Sequence, residues 1–236
     1  MPTPDEFQAR VARVALQAAA AHGFALAGGN ALAAHGIISR PTHDVDLFTA
    51  APGAVSEASG PVAGALAAAG LSVSAVEASG ELGEMFEGFD QEMTEYDVSD
   101  GVQAVRLQLV RFDRSRPAVM MDVGPVLHPD DLVGSKVAAM ATRAEPRDYA
   151  DVASALRTYG REHLVELARR ADPDLADEEL AEAMQALDGP VMGEVLARQF
   201  GPEQVRGIRE AFAGWPREAE AQAQAESREP DFEAGG

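Results

Sequence analysis

The sequence predicts an α+β protein, in which a mixed half of helices and strands is followed by an all-helical half. Two observations support this class. Up to about residue 126, short apolar or alternating runs typical of strands lie between alanine-rich helical segments. After Pro129 the periodic segments have helical spacing, punctuated by Ser, Asp, Pro and Gly. We therefore expect an α/β domain at residues 1–126, a helical domain at 127–216 and a disordered acidic tail at 217–236.

The individual elements follow from local patterns. An alanine-rich segment with apolar residues at helical spacing indicates a first helix, which Gly23 ends. Alternation in DVDLFT at 44–49 indicates a strand with Asp44 and Asp46 on one face. The first half is predicted to contain helices at 7–21, 31–35 and within 52–69, and strands at 24–27, 44–49, 71–76, 102–112 and 118–123. The second half is predicted to contain helices at 129–142, 147–159, 162–170, 177–187 and 202–213.

Composition narrows the classes of function. The chain has 236 residues, 19 basic and 39 acidic, for a formal net charge of −20. Such an acidic chain is a poor general DNA-binding protein, because non-specific binding needs clustered cations. No cysteine is present, which excludes disulfides, thiolate zinc sites and thiol nucleophiles. No apolar stretch is long enough for a membrane span and the N-terminus has no apolar signal segment, so we expect a cytoplasmic protein without membrane contact.

The acidic residues are concentrated in one internal segment. Residues 77–100 contain nine acidic residues and no basic one. Like-charge blocks are usually solvated, so we predict a loop or lid here. The alternative is an acidic rim that attracts cations or a cationic substrate.

Three features in sequence order indicate phosphate and metal chemistry. The Gly28-Gly29 pair between a strand and a helix allows the backbone to approach a ligand closely. Asp44 and Asp46 project together, and two neighbouring carboxylates repel unless a hard cation such as Mg²⁺ lies between them. Asp122, in the apolar run VMMDV, would supply a third carboxylate from an adjacent strand. If the three carboxylates converge, they form a two-metal site for in-line displacement.

These features resemble a known family. The sequence is similar to the AbiEii/AbiGii toxin-type nucleotidyltransferases, within the polymerase-beta-like nucleotidyltransferase superfamily. This resemblance implies a mixed sheet flanked by helices, with a helical domain after it. The similar motifs are AGGNAL at 27–32, HG at 35–36, RPTHDVDLF at 40–48, MDV at 121–123, DL at 131–132, KVAAM at 136–140, Arg143, and PRDYADV at 146–152.

The resemblance implies a role for each matching residue. The superfamily commonly has Ser or Thr where this chain has Asn30, whose amide can still bind a phosphate oxygen. The implied nucleotide-binding residues are Gly28, Gly29, Asn30, Arg40 and Lys136. The implied metal ligands are Asp44, Asp46 and Asp122, which together with Lys136 and Asp148 form the implied catalytic set.

Two of these residues also have simpler interpretations. Lys136 is the only lysine among 19 basic residues, so it could be a stray residue in an arginine-preferring composition. Its position nevertheless matches the family's phosphate-contacting lysine, and a compact ammonium suits a crowded phosphate. Asp148 could instead be an ordinary acidic residue at a helix N-terminus. Asp151 is predicted to be a solvated helix residue.

The function predicted is Mg²⁺-dependent transfer of a nucleoside monophosphate from an NTP to a hydroxyl. The acceptor could be a tRNA end or a protein hydroxyl, including one on a cognate antitoxin, as suits a toxin. One alternative is a small acceptor such as an aminoglycoside-like antibiotic. A second alternative is a catalytically silent binding or regulatory module that keeps the fold.

Overall fold

A computed structural model describes residues 6–76 and 93–218. It confirms the α+β class and divides the chain into two compact units, Met1–Leu132 and Val133–Gly236. The boundary predicted after residue 126 lies within the first unit, because helix Pro129–Arg143 begins there and continues into the second. Most of the predicted tail lies outside the described residues. Arg217 is described, and it pairs with Asp188 at 2.9 Å.

The first unit is built on a mixed sheet. Across the described residues the strand order is β3-β4-β5-β2-β1-β7-β6, with β2 parallel to β5 and antiparallel to β1. The strands are β1 (Ala25–Ala27), β2 (Asp44–Thr49), β3 (Ser72–Val76), β4 (Met93–Ser99), β5 (Ala104–Arg111), β6 (Val119–Met121) and β7 (Gly124–Val126). The helices that precede or join them are α1 (Glu6–Ala18), α2 (Gly28–Ala34) and α3 (Ala54–Ala68).

The two faces of this sheet differ in character. The alternation predicted for 44–49 is confirmed: Val45 and Leu47 are fully buried, whereas Asp44 and Asp46 on the opposite face are half-buried. Strand β5 pairs with β2 in parallel, so side chains at paired positions lie on the same face of the sheet. Helices α1 and α3 contact the sheet. The polar face therefore carries Asp44, Asp46 and the residues paired with them.

Part of the acidic segment is a strand rather than a loop. Residues 93–99 form β4, which pairs along its whole length with β5. The prediction is wrong here because Tyr96 and Val98 alternate with the acidic side chains and are buried. Residues 77–92 of the predicted lid lie outside the described residues.

The second unit is helical, as predicted. Its fully buried side chains include Tyr149, Met184 and Phe212. The Tyr149 hydroxyl donates to the carbonyl of Ala183 at 2.6 Å, and burial raises the pKa of this tyrosine to about 12. The helices are α4 (Pro129–Arg143), α5 (Pro146–Ala155), α6 (Arg161–Ala171), α7 (Asp177–Asp188), α8 (Pro190–Gln199) and α9 (Pro202–Ala211).

Helix α8 was not predicted. In the sequence, the Gly189-Pro190 pair is typical of the end of a helix. In the structure, Pro190 occupies the first turn of a new helix, α8, where its missing N–H needs no partner. Among the described residues, no helix is both long and apolar enough to span a membrane.

A single glycine fixes the packing of α4 against α6. A Cβ added at Gly134 would lie 2.5 Å from the carbonyl oxygen of Leu167. We expect Gly134→Ala to destabilise the protein by about 1–3 kcal/mol, because neighbouring backbone would have to move. Gly207→Ala is the matched control, since no atom lies within 4 Å of its added Cβ and alanine favours the helix. Chemical denaturation of both variants tests this, and equal stabilities would contradict it.

Candidate active site

Strand β1 leads directly into α2 through the two glycines. Gly28 has a φ of +58°, and a Cβ there would lie 1.7 Å from Oδ2 of Asp46. A Cβ on Gly29 would lie 2.8 Å from Cγ2 of Thr42. The carboxylate of Asp46 thus occupies space that any other residue at 28 would fill. Glycine is needed here for close approach to an acidic side chain, and α2 begins at Gly28 rather than at residue 31.

The polar face of β2 presents the predicted carboxylate pair. Asp44 and Asp46 share that face, and Asp46 lies opposite Ala27, the residue before Gly28. The structure therefore brings the Asp pair and the glycine pair together. Arg40 is also close, with Nη2 lying 3.7 Å from the position of a Cβ on Gly29.

Asn30 has a different role from the one predicted. It is 2% exposed, and its Nδ2 donates to the carbonyl of Asp44 at 2.8 Å and to Oε1 of Gln8 at 3.0 Å. Its Oδ1 accepts from the Thr42 hydroxyl at 2.6 Å. Both amide hydrogens are used, so the side chain holds the backbone of Asp44 instead of being offered to a phosphate. Asn30 lies inside α2, two residues after the helix begins at Gly28.

Gln8 completes this support and was missed by the sequence analysis. Its Nε2 donates to the carbonyl of Thr42 at 2.8 Å, which ties α1 to the segment before β2. Nothing in the local pattern of α1 distinguishes Gln8 from other polar residues of that helix. Its role depends on contacts with Asn30 and Thr42, which lie 22 and 34 positions later in the chain.

Removal of the Asn30 side chain should loosen the Asp44 backbone. We expect Asn30→Ala to lower the free energy of unfolding by about 1–3 kcal/mol, because buried partners lose their hydrogen bonds. Gln185→Ala is the control, since it removes an exposed amide that makes one bond to the carbonyl of Arg217. Thermal denaturation followed by circular dichroism compares the two. A control loss as large as that of Asn30→Ala would contradict this assignment.

Asp122 does not join the Asp pair. It is exposed and lies in the two-residue turn between β6 and β7, not in a strand. Strand β7 runs parallel to β1 with Val126 beside Leu26, so a residue preceding β7 lies toward the end of the sheet away from Gly28. The expected convergence is therefore wrong. Among residues 6–76 and 93–218, no group of three acidic or histidine side chains is placed to hold a metal.

The second unit contains a cluster of charged side chains around two buried aspartates. Lys136 Nζ on α4 lies 3.5 Å from Oδ1 of Asp148 and 3.3 Å from Oδ2 of Asp151, both on α5. Arg143, seven residues after Lys136, binds both oxygens of Asp148 at 2.8 Å. The two aspartates are three residues apart and so share a helix face. Asp151 is 1% exposed, so the prediction that it is solvated is wrong.

The charges in this cluster balance. Burial alone raises the pKa of Asp148, but the hydrogen bond from Arg143 and the charges of Lys136, Arg143 and Arg147 outweigh it and lower the pKa. Asp148 is therefore ionised, and the bidentate Arg143 is its main partner. Of the two aspartates, Asp151 lies closer to the ammonium of Lys136. We infer that Asp148 positions the cluster, and that Asp151 is the acidic residue which holds the lysine.

Two solved structures show the same fold. JHP933 from Helicobacter pylori is 15% identical, with a TM-score of 0.56 and 94% of each chain covered. MenT4, a nucleotidyltransferase toxin from Mycobacterium tuberculosis, is 17% identical, with a TM-score of 0.56 and 94% of each chain covered. No curated protein matches the chain.

A family model decides the assignment. The model described as "Nucleotidyl transferase AbiEii toxin, Type IV TA system" matches residues 11–233, nearly the whole chain. The resemblance found in the sequence motifs is thereby confirmed. The chain belongs to the AbiEii family of nucleotidyltransferase toxins.

Proposed function

We propose that this nucleotidyltransferase moves a nucleoside monophosphate from an NTP to a hydroxyl acceptor, with Mg²⁺ bound by Asp44 and Asp46. The observation that carries this proposal is the contact between Gly28 and the Asp46 carboxylate, where a Cβ would come within 1.7 Å of Oδ2. Residue 28 therefore carries no side chain at the point where a phosphate would meet a carboxylate-bound cation.

The donor set suits Mg²⁺. This ion prefers oxygen ligands and is commonly held by one or two carboxylates, with phosphate oxygens and water completing its shell. Asp44 and Asp46 provide two half-buried carboxylates on one face. When bound, the ion would neutralise charge on the phosphates. Because Asp122 lies at the other end of the sheet, we replace the predicted three-carboxylate, two-metal site with a site formed by Asp44 and Asp46.

The reaction balances without a further reactant. The acceptor oxygen forms a bond to the α-phosphorus, the bond from that phosphorus to the pyrophosphate oxygen breaks, and the hydroxyl proton is released to solvent. The triphosphate lies against the backbone of Gly28 and Gly29, where the missing side chain of Gly28 lets the Asp46 carboxylate approach closely. Arg40 supplies positive charge beside the two glycines. The resemblance of its motif to the family supports Lys136 as the phosphate-contacting residue, and Asp151 lies 3.3 Å from its ammonium. Catalysis then consists mainly of positioning and charge neutralisation.

The family description supports a toxin restrained by a cognate antitoxin. A tRNA end, a protein hydroxyl and a small hydroxylated molecule remain the candidate acceptors. Expression in a bacterial host should therefore arrest growth, and the Asp46→Ala variant should not. Arrest by both variants at equal protein levels would contradict a toxic nucleotidyl transfer.

Transfer itself is tested with each of the four NTPs, labelled at the α-phosphate, in Mg²⁺ buffer. The acceptors are total tRNA, an aminoglycoside such as kanamycin, and no added acceptor, which reports self-labelling. We expect label transfer by the wild type and none by Asp46→Ala. If no NTP gives transfer or pyrophosphate release under any of these conditions, the proposal fails.

A further inference from the structure

The strand beside the Asp pair carries no carboxylate at the paired positions. Strand β5 lies parallel to β2, with Gln108 opposite Asp46 and Arg106 opposite Asp44. A third carboxylate was expected from an adjacent strand, and an amide and a guanidinium occupy that place. The nearest acidic residue in register is Glu95 on β4, which lies opposite Gln108.

Glu95 fixes the orientation of the Gln108 amide. Nε2 of Gln108 donates to Oε1 of Glu95 at 2.5 Å. An ionised carboxylate only accepts hydrogen bonds, so the NH₂ end of the amide must face Glu95. The carbonyl oxygen of Gln108 is then the end of the amide available to another donor.

Arg106 and Asp97 complete the network from the other side. Arg106 Nη1 donates to Oε2 of Glu95 at 3.1 Å, and Nε donates to Oδ1 of Asp97 at 2.7 Å. The Glu95 side chain is 21% exposed, compared with 56% for Asp97. Glu95 is therefore held by two partners in a partly shielded place, as a residue that orients a neighbour should be.

The position of Gln108 decides which reactant it meets. In an in-line displacement the attacking and leaving oxygens lie on opposite sides of the phosphorus. Asp46 has β1 and Gly28 on one side and Gln108 of β5 on the other. With pyrophosphate on the glycine side, as the proposed function requires, the attacking hydroxyl approaches from the side of Gln108.

We propose that the carbonyl oxygen of Gln108 accepts a hydrogen bond from the acceptor hydroxyl, and that Glu95 is a positioning residue which fixes this amide. The inference rests on the proposed nucleotidyl transfer and assigns its acceptor side. Gln108 takes up no proton, and the hydroxyl proton is released to solvent as written above. The hydrogen bond aims the acceptor oxygen at the α-phosphorus.

The test separates acceptor binding from nucleotide binding. Steady-state kinetics are measured with total tRNA and with kanamycin as acceptors, at saturating NTP and Mg²⁺. Gln108→Ala should raise the acceptor KM about tenfold, the loss typical of one hydrogen bond to a bound group. Titration of a non-hydrolysable NTP analogue in Mg²⁺ buffer, followed by calorimetry, should give the wild-type Kd.

Variants of Glu95 show whether it acts through Gln108. Glu95→Ala should raise the acceptor KM, and Glu95→Gln should raise it less, because its carbonyl can still accept from the Gln108 amide. In the Gln108→Ala background, Glu95→Ala should have no further effect on KM. Glu57, an exposed glutamate on α3 that pairs with His22, provides the matched control, and Glu57→Gln should behave as wild type.

Each outcome decides the inference. An unchanged acceptor KM in Gln108→Ala, a raised Kd for the NTP analogue, or additive effects of the two alanine substitutions would overturn it while the transferase activity stands. Wild-type protein that labels neither tRNA nor kanamycin overturns it as well. The self-labelling assay then shows whether the proposed function survives without it.

Discussion

Replacing Asp46 with Asn should abolish nucleotidyl transfer, with a loss of at least about 10³-fold, while the protein remains folded. Asn has nearly the same shape as Asp, so it can still pack against Gly28, where Oδ2 lies close to the backbone. What it lacks is the negative charge that holds a divalent cation. The loss should appear in the rate of label transfer at saturating NTP, and more Mg²⁺ should recover only part of it.

The control for this variant removes a carboxylate outside the site. Asp113 is exposed and pairs with Arg111 at 2.9 Å, at the far end of β5. Asp113→Asn should leave transfer within about twofold of wild type, because exposed ion pairs contribute little. Wild-type activity in Asp46→Asn would show that the cation site lies elsewhere.

Substitution of Lys136 should have the second largest effect. Its ammonium is 15% exposed and lies between two fully buried carboxylates. Lys136→Ala leaves Asp151 without this cation, and breaking a buried pair costs roughly 3–5 kcal/mol. We expect a comparable loss of unfolding free energy and a fall in transfer of at least about 10²-fold, because the phosphate contact proposed for Lys136 would also be lost.

A double variant separates these two effects. Lys136→Ala with Asp151→Asn removes both charges, so part of the lost stability should return. Activity should stay low, because the ammonium is still missing. Lys136→Arg should fold and remain weak, since a guanidinium does not replace a compact ammonium at a crowded phosphate. If activity returns together with stability in the double variant, Lys136 has only a structural role.

The local features of the site could be predicted from the sequence. The glycine pair and the Asp44–Asp46 pair each depend on residues at most two positions apart, so strand alternation and glycine geometry were sufficient. Lys136, the only lysine in the chain, is predicted as a site residue because it falls where the family has a phosphate-contacting lysine, and the structure places it against buried acidic residues.

The remaining features depend on register, which local patterns do not specify. VMMDV looks like one buried strand, yet the chain reverses at Asp122 and leaves it exposed. Gln108 and Glu95 are 13 residues apart and meet only because β4 pairs with β5. The burial of Asp151 had one available signal, its spacing of three from Asp148, which places both on one face of a helix.

The position of the label in the product tests most directly whether the protein transfers a nucleoside monophosphate. Wild-type protein is incubated with Mg²⁺ and the same NTP labelled at either the α- or the γ-phosphate, with total tRNA, kanamycin or no added acceptor. We expect α-label to become bound to an acceptor and γ-label to be released as pyrophosphate. Acceptor labelled from the γ-phosphate, or no transfer from either position, would contradict this expectation.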